Sequence, residues 1–284
     1  MTRTVVALLD PAGGPPVLTD PAAPVLRADD LGVLRGEAVF ETARIAGGRP
    51  AFLDAHLARL ARSAQRLDLP LPTGWDRLAE TAVTAYGDPD GVLRLVCSKG
   101  APGTGPVGFA MASPIPAETV RGREEGVSAL TLTLGVTAGV RAASPWLLGG
   151  VKSTSYAVNM ATLRHAQGEG ADDAIWVSSD GEVLEAPTSS VAWVQGGRLV
   201  TPPAGEVAIL PGTTLDVVLR LCDELEVPYD VRRGTATELV AADEVLLLSS
   251  VRGVAPVTAL DGRPLGVGPV TAQLRAAFEA ALLG

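Results

Sequence analysis

With 284 residues, 47% of them hydrophobic, the chain can bury a full core as one large domain or two ordinary ones, which excludes general disorder. A formal charge of −9 with no basic or acidic block argues against nucleic acid as a main partner, because phosphate binding needs clustered Lys and Arg. No stretch is long and apolar enough to span a bilayer, Met1-Thr2-Arg3-Thr4 opens no secretory pattern, and Cys97 and Cys222 sit in apolar runs as reduced core residues do, so a soluble cytoplasmic protein is expected.

Val5 to Leu9 predicts a first strand, with Gly13-Gly14-Pro15-Pro16 as its turn. Arg27 to Gly36 is polar and punctuated by glycine. Ala38-Val39-Phe40-Glu41-Thr42-Ala43-Arg44-Ile45 alternates at period two, and Gly47-Gly48 marks a hairpin returning through Pro50-Ala51-Phe52. Leu53 to Leu67 has helix spacing, with Leu53, Leu57, Leu60, Ala64 and Leu67 on one face, and Asp76 to Tyr86 predicts a second helix. Strands are expected at Val92–Cys97, ending in Ser98-Lys99-Gly100, and at Phe109–Ser113. Ser113-Pro114-Ile115-Pro116 is the best linker, and what precedes it reads as a small α+β domain.

The second part begins with strand-like Ser128 to Val136. In Gly149-Gly150-Val151-Lys152-Ser153-Thr154-Ser155-Tyr156 a glycine turn delivers one lysine, and an amphipathic helix is expected at once, from Ser153 to near Gln167. Asp173–Val177 predicts a strand, Asp180-Gly181 a tight turn and Val183-Leu184-Glu185 the return. Val191–Val194 and Arg198–Thr201 form a hairpin across Gly196-Gly197. Leu210-Pro211-Gly212-Thr213-Thr214 opens a helix running to near Leu225. Val245–Leu248 is a buried strand ending at Ser249-Ser250, and Gln273–Leu283 a terminal helix.

An ordinary lysine is a poor nucleophile at neutral pH; burial or a nearby cation makes it a catalytic amine. Lys152, in a chain where lysines are scarce, reads either as a surface residue at a helix start or as an amine held out of water to carry a Schiff base. Glu185 reads either as an exposed strand-end carboxylate or as the charge that keeps a bound pyridine ring protonated, so that the ring takes up carbanion charge. Gly212-Thr213-Thr214 is either a plain cap or an anion cradle at a helix N-terminus. Ser249 and Ser250 would add hydroxyls, and Arg59 a bidentate guanidinium, unless Arg59 is solvated beside Arg62 and Arg66. His56 and His165 are expected to be structural helix residues. No Ser-His-Asp arrangement, metal-ligand spacing, dinucleotide fingerprint or P-loop is recognisable.

Taken in order, these pieces resemble the class IV, or fold type IV, family of pyridoxal-phosphate enzymes, which includes branched-chain and D-amino acid aminotransferases and aminodeoxychorismate lyases. The resemblance covers nearly the whole chain. Ala38 to Arg44 is similar to the family's early hairpin, and His56-Leu57-Ala58-Arg59-Leu60 with Ser63-Ala64 to the helix whose arginine holds the cofactor phosphate. Lys152 falls at the Schiff-base lysine and Glu185 at the carboxylate facing the pyridine nitrogen. Thr213, Thr214, Ser249 and Ser250 fall at the phosphate, Thr188 and Ser189 follow Glu185 beside the cofactor, and Tyr156 is placed to bond the phenolic oxygen one helical turn after Lys152. The resemblance implies an α+β / α/β architecture: a small N-terminal α+β domain over 1–113, a linker over 114–122 and a larger, barrel-like cofactor-binding domain over 123–284. It also implies pyridoxal 5'-phosphate between the domains, and a homodimer whose neighbouring subunit closes part of the pocket.

Glu41 after Phe40 is like aminotransferases, whereas Ser249-Ser250-Val251-Arg252-Gly253 is like sequences assigned as lyases. The Arg-x-His carboxylate trap of D-amino acid aminotransferases is absent, with Thr104 and Pro106 in its place, Phe40 replaces the usual tyrosine, and Ser190 stands where an asparagine is usual. Phe40 is therefore expected at the substrate, and Arg44, Lys99 or Arg252 as the group holding its carboxylate. A missing trap suits a looser pocket that also admits primary (R)-amines. The expected activity is transfer of an amino group from a D-amino acid to a keto acid; the alternative is aminodeoxychorismate lyase chemistry giving 4-aminobenzoate and pyruvate. A third possibility is a cofactor-free binding protein on the same fold.

Overall fold

The computed structural model describes residues 4–284; Met1-Thr2-Arg3, read above for a leader, lies outside them. The chain forms two compact units. One holds the chain up to Pro116, the segment Val151–Tyr156 and Leu283; the other holds Ala117–Gly150, Ala157–Leu282 and Gly284.

In the first unit, β1 (Val5–Leu8), β2 (Val17–Thr19), β3 (Ala38–Ala46), β4 (Arg49–Pro50), β5 (Gly91–Ser98) and β6 (Val107–Ser113) make one antiparallel sheet in the order β2-β1-β6-β5-β3-β4. The period-two alternation of β3 is realised: Glu41, Ala43 and Ile45 are buried on one side, Phe40, Thr42 and Arg44 less so on the other. Gly47 and Gly48, at φ 58° and 75°, supply the two positive φ angles that a tight β3–β4 hairpin turn demands. Helices α1 (Leu31–Arg35), α2 (Leu53–Arg66) and α3 (Trp75–Tyr86) complete the unit. Apolar faces of α2 and α3 close on the sheet, with Ile45, Leu60, Leu78, Leu93 and Leu95 in one core cluster. Helix α1 was not expected in the polar 27–36 stretch; Asp30 caps it through the Gly32 N–H at 2.7 Å, and Gly36 ends it at φ 70°.

The second unit contains α4 (Ala117–Glu124), β7 (Val127–Thr133), α5 (Val140–Ala143), α6 (Ala157–Gly168), β8 (Asp173–Val177), β9 (Ser190–Gln195), β10 (Arg198–Thr201), α7 (Ala204–Val207), α8 (Thr213–Glu224), β11 (Tyr229–Val231), α9 (Ala236–Val240), β12 (Glu244–Ser249), β13 (Gly253–Leu260), β14 (Arg263–Pro264) and α10 (Pro269–Ala281). Its sheet runs β11-β10-β9-β12-β13-β7-β8, with β14 on β13. The pairs β10–β11, β13–β7 and β7–β8 are parallel and the rest antiparallel, so this is a mixed sheet. Val191, Trp193, Val245, Leu247 and Val257 fill its core.

Three expectations change. The helix foreseen from Ser153 begins at Ala157 and buries only Ala166. Residues 151–156 form no helix, because the backbone of 152–154 is bonded to β3: the Phe40 N–H donates to the Lys152 carbonyl at 3.0 Å and the Thr154 N–H to the Ala38 carbonyl at 2.9 Å. Residues 117–124, in the stretch expected as linker, are helical. The terminal helix starts earlier than foreseen, at Pro269, because the buried Glu244 carboxylate accepts the Thr271 N–H at 2.7 Å and the Val270 N–H at 3.3 Å.

Cys97 and Cys222 are both buried and free. Burial, with Asp30 nearby, pushes the Cys97 thiol up to about 12, and burial with Asp223 pushes Cys222 up to about 11. Neither is a nucleophile at neutral pH. Among the described residues, no helix is long and apolar enough to cross a membrane.

Candidate active site

Lys152 belongs to the first unit. Its segment lies along β3 like a short extra strand, with Val39 bridged to Ser153. The side chain is 9% exposed, so the surface alternative is set aside. Its Nζ stands 4.5 Å from the Phe40 ring centroid and 5.8 Å from that of Tyr156, and the two rings meet edge to face at 5.1 Å. Aromatic faces attract the ammonium while excluding water from it. Tyr156 reaches this position past a bend at Thr154, where the Tyr156 N–H donates to the Thr154 carbonyl at 2.7 Å, and not across a helical turn.

The Lys152 N–H donates to Ser63 Oγ at 3.1 Å, which ties the segment to α2. Arg59 is one helical turn before Ser63 on the same face. It is 4% exposed, so the solvated alternative is overturned. Its Nε and Nη2 both donate to Glu41, each at 2.7 Å, and His56 Nδ1 lies 2.7 Å from the same carboxylate. Burial alone would push the Glu41 carboxyl up; hydrogen bonds from Arg59 and His56, with their charges, outweigh it and hold Glu41 down at about 2. Sequence reasoning placed His56 as structural and Arg59 as a phosphate ligand. It missed that Glu41 joins them, a contact between β3 and α2 that spacing does not reveal.

The groups proposed for a substrate carboxylate fare differently. Arg44 lies four residues along β3 from Phe40, roughly 13 Å at strand rise, and its Nε donates to Asp90 at 3.1 Å. Lys99, beside the same end of β3 as the lysine segment, is ion-paired with Glu37. Arg252 donates through Nη2 to Asp173 at 2.7 Å and to Ser189 at 2.9 Å, so its charge is matched by a buried carboxylate.

Glu185 belongs to the second unit. Its Oε2 accepts the Leu210 N–H at 3.0 Å, and Arg141 Nη1 lies 3.6 Å from its Oε1. Leu210 opens the run into α8, whose N-cap Gly212 makes no side-chain cap and whose first residues, Thr213 and Thr214, are both buried. A Cβ on Gly212 would stand 2.3 Å from Ser190 Oγ, so glycine is what lets that hydroxyl approach the helix start. Ser249 ends β12 and Ser250 follows it in the turn, both half-buried, while Thr188 is exposed. An uncapped helix N-terminus with paired threonines fits a phosphate, and a half-buried carboxylate fits a protonated ring nitrogen, so the donor set suits pyridoxal phosphate.

Gly149 and Gly150 precede the lysine segment in the chain. A Cβ on Gly149 would lie 2.6 Å from the Ala208 carbonyl oxygen and 3.1 Å from Arg141 Cβ, and Gly150 has φ 77°. Gly149→Ala is therefore expected to cost about 1–3 kcal/mol of stability, read in a denaturant melt. A wild-type midpoint would show that the turn relaxes freely.

The family described as amino-transferase class IV matches residues 38–260. A bifunctional aminodeoxychorismate lyase / D-amino acid transaminase of Mycobacterium tuberculosis is 40% identical over 94% of this chain and 96% of its own length. A D-alanine aminotransferase of Bacillus licheniformis is 31% identical over 90% and 91%. Among solved structures, a hypothetical aminotransferase from Mycobacterium tuberculosis in its alpha-ketoglutarate and PMP bound form superposes with a TM-score of 0.92 at 38% identity, over 98% of this chain and 99% of that one. The mixed α and β fold and these likenesses agree: the chain is an enzyme of the class IV aminotransferase family.

Proposed function

We propose that this enzyme is a pyridoxal-phosphate-dependent transaminase that moves the amino group of a D-amino acid to a keto acid such as 2-oxoglutarate or pyruvate. The observation that carries the proposal is Lys152, buried with its Nζ against the Phe40 and Tyr156 rings. The family, the D-amino acid relatives and the keto-acid-bound structure support it. When bound, pyridoxal phosphate withdraws electrons from an attached amine and acidifies its α-hydrogen.

The roles proposed for individual residues follow from their surroundings. Lys152 Nζ holds the cofactor at rest, then takes the α-proton and returns it. Glu185 faces the ring nitrogen, and Tyr156 the phenolic oxygen. Arg59, Thr213, Thr214, Ser249 and Ser250 hold the phosphate, with Thr188 and Ser189 beside the ring. Phe40 lines the substrate position, and Lys99 remains the cation proposed for its carboxylate, in exchange for Glu37. We further propose a cytoplasmic homodimer and the domain division 1–113, 114–122 and 123–284. The buried thiols of Cys97 and Cys222 fit a reducing compartment.

A D-amino acid alone, D-alanine being the first choice, is expected to convert the cofactor's visible absorbance to that of the pyridoxamine form, with the L-enantiomer far slower. An unchanged spectrum across paired D- and L-amino acids and (R)- and (S)-amines would sink the transaminase proposal. The second reading, lyase activity, is favoured by the bifunctional name of the Mycobacterium tuberculosis relative. Pyruvate release from aminodeoxychorismate with no keto acid present separates it from transamination.

A further inference from the structure

Arg141 has no role in the assignments above, yet it leans on Glu185. Its Nη1 is buried without a hydrogen-bond partner and lies 3.6 Å from Glu185 Oε1, with the two side chains only 19% and 13% exposed. That separation exceeds a hydrogen bond, so the guanidinium acts on Oε1 through its charge. The opposite oxygen, Oε2, is oriented by the Leu210 N–H. The carboxylate thus has a fixed aim from the backbone and a cation from α5, and Arg141 Cβ also abuts the Gly149 turn two residues before Val151.

We propose that Arg141 is a positioning residue whose charge keeps Glu185 ionised, so that the proton shared with a bound pyridine ring stays on the ring nitrogen. The proposal rests on the reading of Glu185 as the partner of that nitrogen. A carboxylate beside a cation in a half-buried site is the weaker base, and the proton goes to the stronger one. Without the guanidinium the proton moves toward Glu185 Oε1. The ring then loses its charge and much of its demand for electrons, and Glu185 loses the ionic attraction that retains the cofactor.

The test uses the purified holoenzyme with Arg141→Met, Arg141→Lys, Glu185→Gln and the Arg141→Met/Glu185→Gln pair. Arg141→Met is expected to weaken pyridoxal-phosphate binding about 10-fold or more, shift the pH midpoint of the cofactor's absorbance change, and slow the D-alanine half-reaction by at least about 10-fold, mostly in kcat. Arg141→Lys, which keeps the charge, is expected to recover most of each loss. Added to Glu185→Gln, Arg141→Met is expected to cost less than about 3-fold more, because its target is already gone. Independent, multiplying effects in the double variant would overturn the proposal while leaving the Glu185 reading intact. No change of spectrum or affinity in Glu185→Gln alone would overturn the Glu185 reading itself. If Arg141→Met does not fold, Arg141→Lys decides: a wild-type pH midpoint with cofactor affinity down 10-fold would mark a packing role only, and overturn the proposal.

Discussion

Lys152→Ala is expected to lower transaminase turnover by about 10³-fold or more, because the amine both holds the cofactor and carries the α-proton. The fold is expected to survive. The backbone N–H to Ser63 and the pairing of residues 152–154 with β3 do not depend on the side chain, and the lost ring contacts are worth about 0.5–2 kcal/mol. Two measurements separate loss of chemistry from loss of structure. Borohydride followed by denaturing mass spectrometry should fix the cofactor onto the wild-type chain and not onto the variant, while the melting curve moves little. Fixation onto Lys99 in the wild type, or turnover within about 10-fold in Lys152→Ala, would remove this lysine from its role.

Glu41→Ala is expected to be the most damaging change away from the lysine. It leaves Arg59, 4% exposed, and His56, 1% exposed, facing a buried gap where a carboxylate stood. Breaking a buried ion pair on one side costs about 3–5 kcal/mol. The pH dependence has a definite sign. The Glu41 carboxyl is held from 4.5 down to about 2, so its contribution is complete above about pH 4.5 and is lost as pH falls toward 2. That span corresponds to roughly 3 kcal/mol, consistent with the mutational cost. Acid unfolding of Glu41→Gln should therefore be shallower than that of the wild type over this interval. Equal acid arms would mean that the carboxylate contributes nothing to stability. Because Arg59 and Ser63 share a face of α2, and Ser63 carries the lysine segment, Glu41→Ala is also expected to loosen the cofactor.

Much of the local structure was legible from residue order. The alternation in Ala38–Ile45, the spacing of Leu53, Leu57, Leu60 and Ala64, and the glycine pairs at 47–48 and 196–197 each encode an element through short-range sterics and one buried face. Lys152, Arg59 and the Gly212-Thr213-Thr214 turn stood out because their residue types carry chemistry and fall in a recognisable order. Their surroundings did not. Residues 151–156 are not helical because β3 offers partners for the backbone of 152–154, and no local propensity reports a neighbour more than a hundred residues away.

By itself, then, the sequence determined most of the longer strands and helices, the family to which they belong, and the lysine and carboxylate around which the chemistry is proposed. Tertiary structure alone decided which charges are spent. Arg59 and His56 go to Glu41, Arg252 to Asp173, Arg44 to Asp90 and Lys99 to Glu37, and Arg141 comes to Glu185. The physical reason is range. Propensity and periodicity act within a few residues, whereas the partner of a buried charge is chosen by which strand and helix pack together, and an arginine in a sequence looks the same whichever carboxylate it meets.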